Sequence, residues 1–320
     1  MLIPKLTKFE DVESMVKTLK TKSFVTPRVL FAYVNSCRRL KRSTGVEAIW
    51  NLSQASGILM DEILLNSFVS AAIESKNQQL VTKLMHIWPT VASKERINTY
   101  IMFAKGFITL KQSRCAYEAY KTLTQACDTK PTPIVFSLLI EACRKCRDTE
   151  LLKTVYYDMK KLGVLSEMHI NSILAGIDSV SVGKELLATW SSISKLSQIS
   201  NTCIQFIQFF QAKSLTNEAV AAYKVFLTHE NPTAAVLGAL SYACRYTDQA
   251  QYIKLIWDDT NKFQVVPHAT MLNLLLTACT GTVSLSLGMQ IHQYIIAVVS
   301  LAIPPFFIVT FDKLLSWLSL

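Results

Sequence analysis

A column of bulky side chains recurs along this chain at a nearly fixed interval. Trp50, Met85, Tyr120, Tyr156, Trp190, Tyr223, Trp257 and His292 follow one another at spacings of 35, 35, 36, 34, 33, 34 and 35 residues, and six of the eight are aromatic. Two further columns at fixed offsets also sort by chemistry. Fourteen residues earlier stand Ser36, Ala71, Gly106, Ala142, Gly176, Phe209, Ala243 and Ala278, seven of them small. One residue after those come Cys37, Ala72, Phe107, Cys143, Ile177, Phe210, Cys244 and Cys279, all apolar or thiol. Selection of size and polarity at a fixed phase is the mark of an internal repeat, and it constrains the fold before any other property does.

Within each period apolar residues recur at i, i+3, i+4 and i+7, as amphipathic helices require, while strand signals are scarce. Each period reads as a first helix bearing the small column, a short turn, and a second helix bearing the bulky column. Small side chains let two helix backbones approach closely. One such hairpin cannot bury its apolar face alone, so successive hairpins stack into a superhelix whose stability is a sum of neighbour interfaces. The expected fold is an all-α solenoid of about seven helical-hairpin repeats with partial terminal repeats. The expected boundaries are a partial repeat over 1–26 with a helix around Lys8–Lys20, the repeat array over 27–302, and a partial repeat over 303–320 with a helix from Phe306 onward. Pro27, Pro131, Pro133, Gly163, Pro232, Pro267, Pro304 and Pro305 fall near unit boundaries, where helix ends belong.

With 320 residues, half of them hydrophobic, the chain has ample material for a core. Its net charge of +10 is uneven: residues 1–160 hold 24 Lys+Arg against 14 Asp+Glu, whereas 161–320 hold 9 against 9. A basic half suggests a polyanionic partner. Eight cysteines without a secretory leader read as reduced thiols rather than a disulfide framework. The opening MLIPKLTKFEDVESMVK has early acids and little arginine, so it reads as neither a signal peptide nor a transit peptide, and any presequence is expected to be absent or removed.

The stretch IVFSLLIEACRKCRDTELLKTVYYDMKKLGV, residues 134–164, resembles the pentatricopeptide repeat family. So does VVPHATMLNLLLTACTGTVSLSLGMQIHQYII, which is similar to the repeats of plant organellar members. Tetratricopeptide repeats share the hairpin and a near-identical period. The mean spacing near 35, the Tyr-Asp-Met-Lys-Lys-Leu-Gly ending and the asparagines that begin several first helices favour the pentatricopeptide reading. That resemblance implies binding of single-stranded RNA, one base per repeat, through two or three side chains of each repeat.

By the same resemblance the principal base-facing column holds Phe31, Asn66, Ile101, Ser137, Asn171, Ile204, Gly238, Asn273 and Ile308. Of these, Asn66, Ser137, Asn171 and Asn273 can hydrogen-bond a base edge. A second reading column holds Asp61, Arg96, Thr132, Ser166, Ile199, Thr233, His268 and Ile303. Pairing the two gives one combination close to the family's usual code, Ser137 with Ser166, which weighs against a strictly sequence-specific reader. A third column, often lysine in the family and facing phosphate, holds Arg39, Glu74, Thr109, Lys145, Ser179, Ala212, Tyr246 and Gly281. The cluster CRRLKR places Arg38, Arg39, Lys41 and Arg42 at the end of a first helix, and Arg144, Lys145 and Arg147 stand at the corresponding place three units on. Cations there complement the helix dipole and also suit phosphate, in contacts that are salt-sensitive and blind to sequence. The expected RNA-binding set is therefore Arg38, Arg39, Lys41, Arg42, Asn66, Arg96, Ser137, Arg144, Lys145, Asn171 and Asn273.

Metal, cofactor and catalytic chemistry find no support. The pair Cys143 and Cys146 has the spacing of half a zinc site, but no second pair accompanies it and Cys143 shares a repeat column with Cys37, Cys244 and Cys279, which marks a packing residue. Five scattered histidines show no ligand spacing, and there is neither a glycine-rich phosphate loop nor a deaminase-type HxE with a distant CxxC. No small-molecule substrate is expected.

From Phe263 to Phe311 run 49 residues without Lys, Arg, Asp or Glu. QYIIAVVSLAIPPFFIVTF is long enough for a membrane span, but Pro304 and Pro305 fall where the register expects a turn. The final PPFFIVTFDKLLSWLSL ends as an uncovered apolar helix, so Phe306, Phe307, Trp317 and Leu318 are expected at an interface with neighbouring protein subunits, unless the chain continues. The reading these features favour is a non-catalytic RNA-associated scaffold, which the family resemblance alone places as a subunit of a mitochondrial ribonucleoprotein, the mitochondrial ribosome. Its rivals are a trans-acting organellar RNA factor and a protein-only adaptor in a membrane or respiratory complex.

Overall fold

The computed structural model describes residues 25–39, 43–91, 96–126, 128–193, 197–246, 249–281 and 284–302; among them are sixteen α-helices and no strand. The expected helix around Lys8–Lys20 and the terminal segment 303–320 lie outside the described residues. The helices pair into eight hairpins rather than about seven, because the seven spacings of the bulky column join eight members and each member marks one hairpin. They divide between Leu165 and Ser166 into two units.

The first unit pairs α1 (Pro27–Arg39) with α2 (Ser43–Ala55), α3 (Glu62–Glu74) with α4 (Gln78–Ile87), α5 (Arg96–Thr109) with α6 (Ser113–Lys121), and α7 (Pro133–Cys146) with α8 (Thr149–Leu162). First helices lie side by side, α1 on α3, α3 on α5 and α5 on α7, and each of α2, α4 and α6 also touches the first helix that follows it. The second unit repeats the plan. It pairs α9 (Glu167–Leu174) with α10 (Val180–Ser191), α11 (Ile199–Gln211) with α12 (Thr216–Leu227), α13 (Ala234–Cys244) with α14 (Ala250–Lys262), and α15 (Ala269–Gly281) with α16 (Leu285–Ala302). Here α9 lies on α11, α11 on α13 and α13 on α15.

The repeat columns are the core. All eight members of the thiol column, from Cys37 to Cys279, are buried, and so are seven of the bulky column, with His292 half-buried. The bulky rings reach forward onto the next first helix: Trp50 meets Phe68 at 5.5 Å between ring centres, Tyr120 meets Phe136 at 5.5 Å and Trp190 meets Phe206 at 5.3 Å. Each such pair contributes about 0.5–1.5 kcal/mol beyond the area it buries. In the small column, a methyl at Gly106 of α5 would overlap Ile73 of α3, so the missing side chain sets how closely these two helices approach. Phe209 breaks the small column and is compensated across the interface: its ring occupies the space a side chain on Gly183 of α10 would need.

The hairpin turn is built the same way in four repeats. Lys76, Lys111, Arg147 and Ser214 have φ of 54, 56, 55 and 57°. The amide of each donates to the carbonyl three residues back, and the next amide donates five residues back, as in Lys76 to Ile73 at 3.0 Å and Asn77 to Ala72 at 2.8 Å. This is the pair of bonds that closes a helix through a left-handed residue.

Polar bonds about one period apart add register. Ser113 donates to Asp148 at 2.8 Å, Tyr223 to Asp259 at 2.7 Å and Tyr252 to Asn217 at 2.7 Å. Glu167, 6% exposed at the start of α9, accepts from the amides of Ser197 and Gln198 at 2.8 and 2.9 Å and from the Thr202 hydroxyl at 2.9 Å. Burial alone would raise its pKa, but these hydrogen bonds outweigh burial and hold the carboxyl below its usual range.

Two outcomes follow for stability. Gly183→Ala is expected to cost about 1–3 kcal/mol by chemical denaturation, and to cost little in a Phe209→Leu background, where alanine's helix propensity becomes visible; equal costs in both backgrounds would contradict the compensation. For Glu167, whose folded pKa is depressed, the stabilisation is present above the unfolded carboxylate pKa and is lost as pH falls through the folded value. The gap in denaturation midpoint between the native chain and Glu167→Gln should therefore be largest near neutrality and close in acid.

Candidate nucleic-acid interface

Within each unit, the column expected to face bases is a row across the stacked first helices. Its described members, Phe31, Asn66, Ile101, Ser137, Asn171, Ile204, Gly238 and Asn273, are all at least half-exposed, whereas the residue before each, from Leu30 and Leu65 to Leu237 and Leu272, is buried. The first unit thus brings Asn66 and Ser137 into one row with Ile101 between them, and the second unit places Asn171 and Asn273 in another. Asn273 is exposed, and Ser137 donates to the Pro133 carbonyl within its own helix at 3.1 Å. Asn171 donates to Thr202 at 2.9 Å, and the side-chain oxygens of Asn66 and Asn171 are enclosed without a partner among the described residues. An enclosed, unmatched oxygen costs about 1–3 kcal/mol, which packing alone does not explain.

The second reading column has a local task. Asp61 accepts from the Leu64 amide at 2.7 Å, Thr233 from Val236 at 3.4 Å and His268 from Met271 at 3.1 Å, while Ser166 hydrogen-bonds His169 at 2.8 Å. These residues start α3, α13, α15 and α9, whereas Thr132 precedes α7 without a side-chain cap bond, its hydroxyl oxygen enclosed and without a partner among the described residues. Arg96 is the first residue of α5 and half-buried there. Asp61, Thr233 and His268 thus bond the first turns of their helices, a use to which Asp and Thr are well suited. His268 also reaches the first column, for a side chain on Gly238 would come within 2.9 Å of its Nε2.

At the ends of the first helices, Arg39, Arg144 and Lys145 are exposed and Arg38 is half-exposed. Lys145 pairs with Glu141 of its own helix at 2.8 Å and Arg38 with Glu74 of α3 at 3.4 Å. Such exposed pairs contribute roughly 0–1 kcal/mol and yield readily to a stronger anion. Lys41 and Arg42 lie outside the described residues.

A further basic row joins Arg147 of the basic cluster to two cations outside it. Lys76, Lys111 and Arg147 are the left-handed turn residues of three consecutive hairpins, all exposed, and none has an acidic partner among the described residues. Holding a side chain in that conformation costs about 1–2 kcal/mol that glycine avoids. Cations at three successive turns are therefore retained against the local backbone preference. Their spacing of 35 and 36 residues was the available signal.

Burial pushes the Cys37 thiol up to about 11 and those of Cys143 and Cys244 to about 12, far from reactive thiolates. Among the described residues no group of His, Cys, Asp and Glu could hold a metal, and no helix is long and apolar enough to cross a membrane. Leu276, Cys279, Leu285, Met289 and His292 line an apolar hollow of about 470 Å³ between α15 and α16, and Leu285 and Met289 are exposed. Phe306, Phe307, Trp317 and Leu318 lie outside the described residues.

The capping role predicts that Asp61→Ala lowers stability by about 0.5–2 kcal/mol and leaves nucleic-acid affinity unchanged under folding conditions. A loss of affinity in the folded variant would return Asp61 to the binding row.

No protein-family model matches the sequence, and no curated protein does. Among solved structures the chain is similar to the pentatricopeptide repeat protein PPR10 from maize, at 13% identity over 86% of this chain and 45% of that one, with a TM-score of 0.42. It is likewise similar to PPR10 in complex with an 18-nt psaJ RNA element, at 14% identity over 94% of this chain and 44% of that one, with a TM-score of 0.42. The chain spans less than half the length of either. In its repeat length and its helix pairing, the chain is an all-α array of helical-hairpin repeats.

Proposed function

We propose that this chain is a non-catalytic binder of single-stranded RNA, acting in trans on RNA in an organelle, by family resemblance the mitochondrion. The observation that carries the reading is the row of cations Lys76, Lys111 and Arg147 on successive turns of the first unit, without an acidic partner among the described residues. It continues the basic helix ends at Arg38, Arg39, Arg144 and Lys145, and the half-exposed Asn66 and Ser137 stand on the intervening first helices. Cations at a regular interval suit a polymer of phosphates, and a partly polar row beside them suits the edges of unpaired bases. Because Ile101 interrupts Asn66 and Ser137, affinity comes mainly from phosphate and discrimination between sequences is weak.

A second reading, a scaffold subunit within a mitochondrial ribonucleoprotein such as the mitochondrial ribosome, is favoured by the exposed Leu285, Met289, Ile296 and Val298 of α16. It requires neighbouring protein subunits. Co-purification from the native source separates the two: ribosomal RNA with many ribosomal proteins supports the scaffold, and one enriched transcript supports the factor.

The RNA reading is tested with variants that should not disturb folding. Glycine at positions 76, 111 and 147 removes three charges where glycine adopts the backbone freely. The triple variant Lys76→Gly, Lys111→Gly, Arg147→Gly should keep or gain stability, bind single-stranded RNA at least about 10-fold more weakly at low salt, and lower the slope of log affinity against log salt by about 2, from about 0.7 per phosphate contact. An unchanged slope, or no binding of single-stranded RNA by the native chain, contradicts it.

A further inference from the structure

The dipeptides Cys37-Arg38 and Cys143-Arg144 fall near the ends of α1 and α7, and the same pair recurs as Cys244-Arg245 at the end of α13. Each arginine stands two residues after a member of the small column, so the three share one register position. Their surroundings differ. Arg38 is paired with Glu74, whereas Arg245 has no carboxylate partner among the described residues and lies instead over two rings. Its guanidinium carbon is 3.6 Å from the ring centre of Tyr242 and 4.7 Å from that of Tyr246. Tyr242 is 46% exposed and Tyr246 79%.

A planar cation stacked on two phenol rings holds them in place, a contact of about 0.5–1 kcal/mol at an exposed site. It leaves much of both rings in water and the charge uncompensated. Large exposed aromatics gain nothing from solvent, so the arrangement suits a ligand that is both flat and anionic. A nucleotide unites the two properties: base–aromatic stacking contributes about 1–3 kcal/mol per base, and arginine pairs with phosphate through two parallel bonds.

We propose that Tyr242, Arg245 and Tyr246 form a stacking site for one unpaired nucleobase and its adjoining phosphate. The site rests on the RNA reading of the chain and extends it to the second half of the sequence. There 9 basic and 9 acidic residues cancel over 161–320, so RNA contact must come from stacking rather than from field.

The test uses the full chain, a fluorescein-labelled single-stranded RNA, and inorganic polyphosphate as a polyanion without bases. Tyr242→Leu with Tyr246→Leu should weaken RNA binding about 10-fold and leave polyphosphate binding unchanged. Tyr242→Phe with Tyr246→Phe, which keeps the rings, should bind RNA as the native chain does. Photocrosslinking with 4-thiouridine RNA should label the peptide that contains Tyr242 and Tyr246. The site is overturned if the leucine variant, folded by circular dichroism, binds RNA normally or loses both polyanions alike. It is also overturned, in favour of protein docking, if that variant keeps RNA binding but loses a protein captured by the native chain. Failure of the native chain to bind any single-stranded RNA would sink the RNA reading itself, a result distinct from native binding with an unaffected leucine variant.

Discussion

Everything in this fold depends on the contact between the second helix of one hairpin and the first helix of the next. Trp50 on Phe68, Tyr120 on Phe136 and Trp190 on Phe206 are the same contact made at successive points along the chain. A lone hairpin would leave those rings in water, so no hairpin is stable without its neighbour. The period near 35 is the length of chain needed to present a ring, turn back, and offer the surface that receives the next ring. The buried thiol column and the small column then set how tightly first helices approach, as Gly106 against Ile73 shows.

That packing determines what remains for function. Because first helices lie side by side within each unit, one position near the start of each becomes a row, and in the first unit so does one position in three successive hairpin turns. The rows differ in purpose. The helix-start row is half-exposed and mixed in polarity, which suits weak discrimination, whereas the turn row of Lys76, Lys111 and Arg147 is uniformly cationic. In the second half of the chain the equivalent turn residue at position 214 is serine, and Tyr242, Arg245 and Tyr246 provide a stacking surface instead.

The hairpin fold was legible because its signals are one-dimensional: the size and polarity of Trp50, Cys143 or Ala71 can be read without coordinates. Two things were not. Left-handed backbone at Lys76, Lys111 and Arg147 leaves no mark when the residue is not glycine, so their shared geometry emerged only in three dimensions. The exchange of size between Phe209 and Gly183 is likewise a contact between two columns, and each looks like an exception when read alone. The second reading column carried a local signal as well. Asp61, Thr132, Ser166 and Thr233 are residue types that suit helix starts, and the side chains of Asp61 and Thr233 do bond the backbone there. Arg245 carried a readable signal, the recurrent Cys-Arg pair, and the tyrosines that give it meaning lie one turn back and one residue on.

The most direct test of the central claim, that RNA lies along the rows made by stacked first helices, is amide hydrogen exchange on the full chain with and without a single-stranded RNA. The account predicts added protection at the turns around Lys76, Lys111 and Arg147 and at the starts of α3 and α7, with the second helices unchanged. Protection confined to the second helices, or none anywhere at saturating RNA, would contradict it.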